Sequence, residues 1–475
     1  MNSMVNMARP QPTVHPRAFI ACVFGLGAVA MLLAALAESE GDAQRSVVYG
    51  AGVASVIFGV GAFLWHGGPR VTVMGLFNIA SAMFVGAAGA YAAAVNDERV
   101  PVVYLGYAVL AGLALQVVVS TVAGRAVPLP ERLPTLSPAN AAWAVRWGVA
   151  ALLLLALIER LGLTAALPDL VLPFIEGTAV SATVVLTVGV LWRPDARLLS
   201  FGTILVAVSF VIYATVFHSG AGRLRIVTLA GALLILYSIR FRRRLLKQLV
   251  PIAIPIALFL LAQQRLSLQE SISAGGSAGR NGLESMLVPI VIFGQLLKAQ
   301  ADGFPLAWGT SFLTFPLGLL PESWVPNAPG ALGYELALIY SPELYGTGYS
   351  AAATLGAEGF WNWALPGLFV IALLAGMLLR FLDGRIVRAA ARLHDGRRAV
   401  VALSFWAVFG GAVADLAWNG QHIFFTRTLS RLPFLGLLWG LAGLHESQAS
   451  LLRRRHRPRE ADPRPKPHPR VTTGA

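Results

Sequence analysis

Glu358 and Asn362 stand one helical turn apart in Glu358-Gly359-Phe360-Trp361-Asn362-Trp363. If this stretch is helical, Thr354, Glu358 and Asn362 share one face. A half-desolvated carboxylate in such a place can take a proton from an attacking hydroxyl. The alternative is a helix-end carboxylate paired with an arginine. Five arginines could serve a different need: Arg223, Arg225, Arg265, Arg280 and Arg427. Guanidinium forks match phosphate oxygens and stay charged. As a group spread over three loops they suit an anionic substrate. Singly, each also suits an interface arginine that snorkels or pairs with a carboxylate. Asp415, one turn before Asn419, and His422 are secondary candidates. An ionisable group inside an apolar segment is a functional candidate by default, and pairing with Arg427 is the expected role of Asp415. Arg45 and Arg99 have acidic neighbours, and Arg146, Glu159, Arg160 and Glu176 sit near helix ends, so none of these receives a role.

The elements that must position these residues are membrane spans. The 475 residues are 56% hydrophobic and only 13% charged, where soluble domains carry about 25% charged residues. Apolar segments of bilayer length are expected near 18–37, 47–65, 71–95, 101–123, 141–163, 171–192, 198–217, 225–240, 248–262, 364–382, 399–418 and 430–445. The expected fold is an all-α polytopic membrane protein of about twelve helices. Residues 1–262 would hold helices 1–9, residues 263–360 a large loop, residues 361–450 helices 10–12, and residues 451–475 a disordered basic tail.

Charge sorts the loops into two sets. One carries Arg9 and Arg17, Arg70, Arg125 and Arg132, Arg193 and Arg197, Arg240 to Lys247, Arg380 to Arg398, and the tail from Arg453. The other carries Glu38-Ser39-Glu40, Asn96-Asp97-Glu98 and the 263–360 insert. The positive-inside bias puts the first set and both termini in the cytoplasm and the insert outside. The net charge of +14 then reflects orientation rather than nucleic-acid binding. Within the insert, Gly282 to Lys298 reads as an interfacial, re-entrant or core helix. Trp361 and Trp363 read as interface aromatics.

Several chemistries lack their motifs. The one cysteine, Cys22, permits no internal disulfide. There is no phosphate-binding Gly-Lys-Ser/Thr loop, no HExxH and no clustered histidine or paired aspartate. Catalysis in this chain is therefore expected to need neither metal nor cofactor.

The run Glu358-x-Phe360-x-Asn362-Trp363-Ala364-x-x-Gly367 resembles a motif of Wzy-type oligosaccharide repeat-unit (O-antigen) polymerases, Glu-x-Tyr-x-Asn-Phe-Gly-x-x-Gly. Leu320-Pro321-Glu322-Ser323-Trp324-Val325-Pro326-Asn327-Ala328-Pro329 is similar to the family's Ile-Pro-Arg…Trp-Pro…Lys-Pro segment, and Gly222-Arg223 to its Gly-x-Arg turn. Phe360, Trp363 and Ala364 depart from the motif, and Glu322 and Ala328 fall near positions that are often basic in the family. The resemblance covers roughly Tyr213 to Arg431. It implies a GT-C-like multi-pass plasma-membrane enzyme that joins polyprenyl-diphosphate-linked repeat units outside the membrane. A flippase and a chain-length regulator would be its partners, and membrane lipids its surroundings. Glu358 and Asn362 would be catalytic, and the five arginines would hold substrate. Left open are a ligase or polyprenyl-phosphate-sugar transferase, and a transporter or lipid-linked oligosaccharide flippase.

Overall fold

A computed structural model describes residues 16–167, 171–197, 200–217, 224–257, 287–317, 331–340 and 351–456. These residues form helices and loops, with no strand among them. In chain order the helices are α1 (Pro16–Glu38), α2 (Gly41–Trp65), α3 (Val73–Ala94), α4 (Val102–Ala123), α5 (Pro138–Arg160), α6 (Leu172–Leu191), α7 (Phe201–Phe217) and α8 (Leu224–Phe241). They continue with α9 (244–257), α10 (Val288–Ala301), α11 (Ser311–Leu317), α12 (Leu332–Tyr340), α13 (Leu355–Ala391), α14 (Arg397–Gly411), α15 (Val413–Leu429) and α16 (Leu432–His456).

Seven of the described helices are long and apolar enough to cross a membrane, namely α2, α3, α4, α5, α6, α8 and α13. The pair α14 and α15 passes together as an eighth, bent by 82°. Apolar helices over Val23–Glu38, Phe201–Phe217, Val288–Ala301 and Leu432–His445 are shorter. Large apolar side chains face outward on several helices, with Phe24, Ile57, Leu153 and Phe201 all more than half exposed. A band of this kind is covered by lipid in a multi-pass membrane protein.

The centre is α3, every residue of which from Val73 to Ser81 is buried. Small residues let its neighbours approach: a Cβ on Gly59 would lie 2.5 Å from the Asn78 carbonyl oxygen. Gln116 of α4 donates to that same carbonyl at 3.2 Å and accepts from Ser55 of α2 at 2.9 Å. Polar glue of this kind joins helices where apolar packing alone has no aqueous driving force.

Loops that share a charge class meet in space. Arg70 pairs with Asp383 at 2.5 Å and donates to the Val127 carbonyl. Lys247 donates to the carbonyls of His66 and Gly68, and Arg240 to that of Leu191. On the other class, Gln295 of α10 donates to the Arg99 carbonyl. Arg45 and Arg99 pair with Asp42 and Asp97, as their neighbours suggest. The helix expected between Gly282 and Lys298 is α10, a core element: Ile290, Phe293 and Leu296 are fully buried, and it packs on α4.

Candidate functional site

Two helices break, and the breaks meet. In α13, Trp363 (φ −145°, ψ 29°) and Ala364 (φ 54°, ψ −139°) leave helical geometry, and Pro366 follows. A proline cannot donate to the preceding turn, so the break is built into the sequence. The short half, 355–362, folds back on the long half. A Cβ on Gly359 would lie 2.5 Å from Ile371 Cγ2, and one on Gly367 would strike the Gly359 carbonyl. In α15, Asn419 (φ −140°, ψ 20°) and Gly420 (φ 75°, ψ −163°) interrupt the helix. The positive φ and the contact made there both require glycine.

Broken helices leave backbone groups without partners, which is costly away from water. At the end of the short half of α13, the amides of Ala307 and Trp308 donate to the carbonyls of Trp361 (2.9 Å) and Asn362 (3.1 Å). At the restart of α15, the amide of Gln421 donates to Glu358 Oε2 at 2.7 Å. Asn419 Oδ1 accepts from the amide of Ala353 at 3.2 Å. Thr354 is the N-cap of α13, its side chain accepting from the amide of Ala357. Glu358 thus sits against the positive end of a half-helix.

The expected neighbours of Glu358 and Asn362 are present, and Ser311 joins them. Asn362 Nδ2 donates to Ser311 Oγ at 2.6 Å and to the Glu358 carbonyl at 2.7 Å. Ser311 Oγ donates to Glu358 Oε1 at 3.4 Å. All three residues are at most 2% exposed. Among the described residues no cation reaches ion-pair distance of Glu358, so the paired-carboxylate alternative finds no partner there. An ionised carboxylate in this position is held by neutral donors and a helix end, an arrangement that leaves it able to accept a proton. Ser311 contacts the carboxylate from one side, and Gly420 and Gln421 of α15 from the other.

A second cluster hangs from the same broken helix. Arg427 pairs with Asp415 at 2.6 Å, as expected, and Arg431 lies 3.8 Å from the other carboxylate oxygen. Thr228 donates to that oxygen at 3.2 Å. Arg225 pairs with Glu176, which is therefore not a solvent-facing helix-end residue. Among the described residues, three guanidinium groups thus face two carboxylates. Arg225, Arg427, Arg431, Glu176 and Tyr213 line a small cavity of about 10 Å³, room for one water-sized sphere. The Tyr213 hydroxyl and Arg431 Nη1 are buried without a hydrogen-bond partner among the described residues.

Beside this chamber runs an apolar groove of about 180 Å³. Both are lined from α7 and α8. On α8, Arg225 lines the chamber and Thr228 bonds to Asp415, while Ile226, Val227, Ala230 and Leu234 line the groove. Phe210 and Ala414 line the groove, while Tyr213 and Asp415 belong to the polar cluster.

Other expectations resolve differently. Trp361 is buried at 7% exposure, so it is not a free interface aromatic, while Trp363 is half-buried and stacks on Phe312 with ring centroids 5.3 Å apart. The fold-back of α13 turns both toward the 307–312 segment. His422 follows Gln421 directly, and its Nδ1 is buried with no partner among the described residues. Arg223, Arg265, Arg280 and the 320–329 segment lie outside the described residues. Sequence reasoning missed Ser311, Arg431, Tyr213 and Gly420. Only Asn419-Gly420, a dipeptide suited to a left-handed backbone, offered a signal.

No protein-family model matches this chain, and no curated protein or solved structure matches it.

Proposed function

We propose that this protein polymerises polyprenyl-diphosphate-linked oligosaccharide repeat units on the outer face of the plasma membrane. The observation that carries the reading is the Glu358 carboxylate, buried where two broken helices meet and held by neutral donors. In the proposed reaction a sugar hydroxyl of one lipid-linked unit attacks the anomeric carbon of the growing chain. Its proton passes to Glu358. The bond from that carbon to the diphosphate breaks, and polyprenyl diphosphate leaves with the electron pair.

Each part of such a substrate has a matching feature. The cluster of Arg225, Arg427 and Arg431, with one guanidinium in excess of its carboxylates among the described residues, suits a leaving anion, which enters only when the small cavity between them opens. The adjoining groove suits an apolar chain whose charged end lies in the chamber. Asn362, with its amide engaged on both sides, orients the site. Glu358 is buried, so the acceptor reaches the carboxylate only when residues packed on it move aside.

One observation favours a second reading. Discontinuous helices converging on buried carboxylates are also how secondary transporters build substrate sites. A transporter or lipid-linked oligosaccharide flippase is therefore the rival. Purified protein in sealed vesicles separates the two. Given polyprenyl-diphosphate-linked repeat units and no nucleotide sugar, a polymerase yields a ladder of longer lipid-linked chains. Movement of unaltered units across the bilayer, with no ladder, would replace the polymerase reading with the transporter one.

A further inference from the structure

The polar residues around Glu358 form a chain of hydrogen bonds with a fixed direction. The amide of Gly309 donates to Asn362 Oδ1 at 2.9 Å. This fixes the carboxamide orientation, because the flipped amide would set two donors face to face. Asn362 Nδ2 then spends one hydrogen on the Glu358 carbonyl at 2.7 Å and the other on Ser311 Oγ at 2.6 Å. A hydroxyl that accepts from Asn362 has one proton left to give, and the acceptor in reach is Glu358 Oε1 at 3.4 Å. The other carboxylate oxygen takes the amide of Gln421 at 2.7 Å. Donation thus runs one way, from the 309 amide through Asn362 and Ser311 to the carboxylate.

The chain ties two separate elements together. Gly309 has φ 89° and precedes α11, the helix that begins with Ser311. Asn362 ends the short half of α13. A 3.4 Å contact is long for a charge-assisted bond, and such contacts tighten in a substrate complex.

We infer that Ser311 is a positioning residue that sets the orientation of the Glu358 carboxylate through the Gly309–Asn362–Ser311 chain, an inference that rests on Glu358 being the general base. Ser311 is neither nucleophile nor proton carrier: no bond to its oxygen forms or breaks.

The test uses full-length purified protein in vesicles with a synthetic polyprenyl-diphosphate-linked repeat unit. Ser311→Ala lowers kcat about ten- to a hundredfold, the worth of one lost hydrogen bond to a charged group, and leaves KM unchanged. Ser311→Thr keeps the hydroxyl and recovers most of the rate at equal thermal stability. In a Glu358→Gln background, adding Ser311→Ala costs less than about twofold more, because the two act as one unit. Wild-type kcat in Ser311→Ala, or the same loss from Ser311→Ala in both backgrounds, overturns the inference and leaves the polymerase reading standing. A wild-type protein that forms no polymer overturns that reading first, and the Ser311 role with it.

Discussion

At the scale of single residues, spacing found the carboxylate and not its company. Glu358 and Asn362 are one turn apart in sequence and stay so in the helix, which made their pairing legible. Ser311 is 47 positions from Glu358, and nothing in a serine beside an apolar run marks such a contact. Arg431 reads in sequence as one more basic residue at the start of a span, yet it is 1% exposed and shares Asp415 with Arg427. Removing one partner of a buried charge network strands the others, at a cost of about 3–5 kcal/mol. Asp415→Asn is therefore expected to lower the thermal unfolding temperature sharply, as read by fluorescence-detected size exclusion in detergent. An unchanged midpoint would show that Arg427 and Arg431 do not depend on it. His66 gives a pH dependence. Its ring contacts Thr72 and the Gly124 carbonyl, and burial pushes its pKa from 6.5 down to about 4. The unfolded chain binds a proton there that the folded protein does not, so stability falls as pH drops from about 6.5 toward 4. Melting curves across that window check the sign, and His66→Gln should flatten the slope.

At the scale of elements, apolar length was legible and breakage was not. The expected spans at 71–95, 101–123 and 171–192 agree closely with α3, α4 and α6. Expected spans at 364–382 and 399–418 overlap helices that are interrupted, α13 and the bent pair α14 and α15. Hydropathy sums over residues and cannot register two φ/ψ pairs that reverse a chain. Gly420 is the sharpest test of that geometry. It has φ 75°, and a Cβ there would collide with Glu358 Oε2. Gly420→Ala is expected to reduce polymer formation at least about tenfold, since both the strained backbone and the displaced carboxylate oppose it. Gly61→Ala, with open space around the added carbon, is the matched control and should behave as wild type. Equal activity of the two variants would show that the approach of α15 to Glu358 is not needed.

At the scale of the whole molecule, the loop charges sorted ends that the fold then brought together, as Arg70 with Asp383 and Gln295 with Arg99 show. The proposed orientation puts the Arg70 end in the cytoplasm. Because Cys22 is the sole cysteine, a Cys22→Ala background allows single-site labelling. In that background Ser39→Cys is expected to react with an impermeant thiol reagent added outside intact cells, and Gly68→Cys only after lysis. The reverse pattern would put the site in the wrong compartment for the proposed substrate. The central claim, that Glu358 takes the proton of the attacking hydroxyl, is met most directly by Glu358→Gln. This change keeps size and hydrogen bonding and removes proton acceptance, and general base catalysis is worth roughly a hundred- to ten-thousand-fold. Glycan ladders are resolved on a gel and normalised to the amount of protein in the membrane. The account predicts mostly single lipid-linked repeat units and a ladder weakened at least about a hundredfold from Glu358→Gln. A full ladder at matched protein level would contradict it.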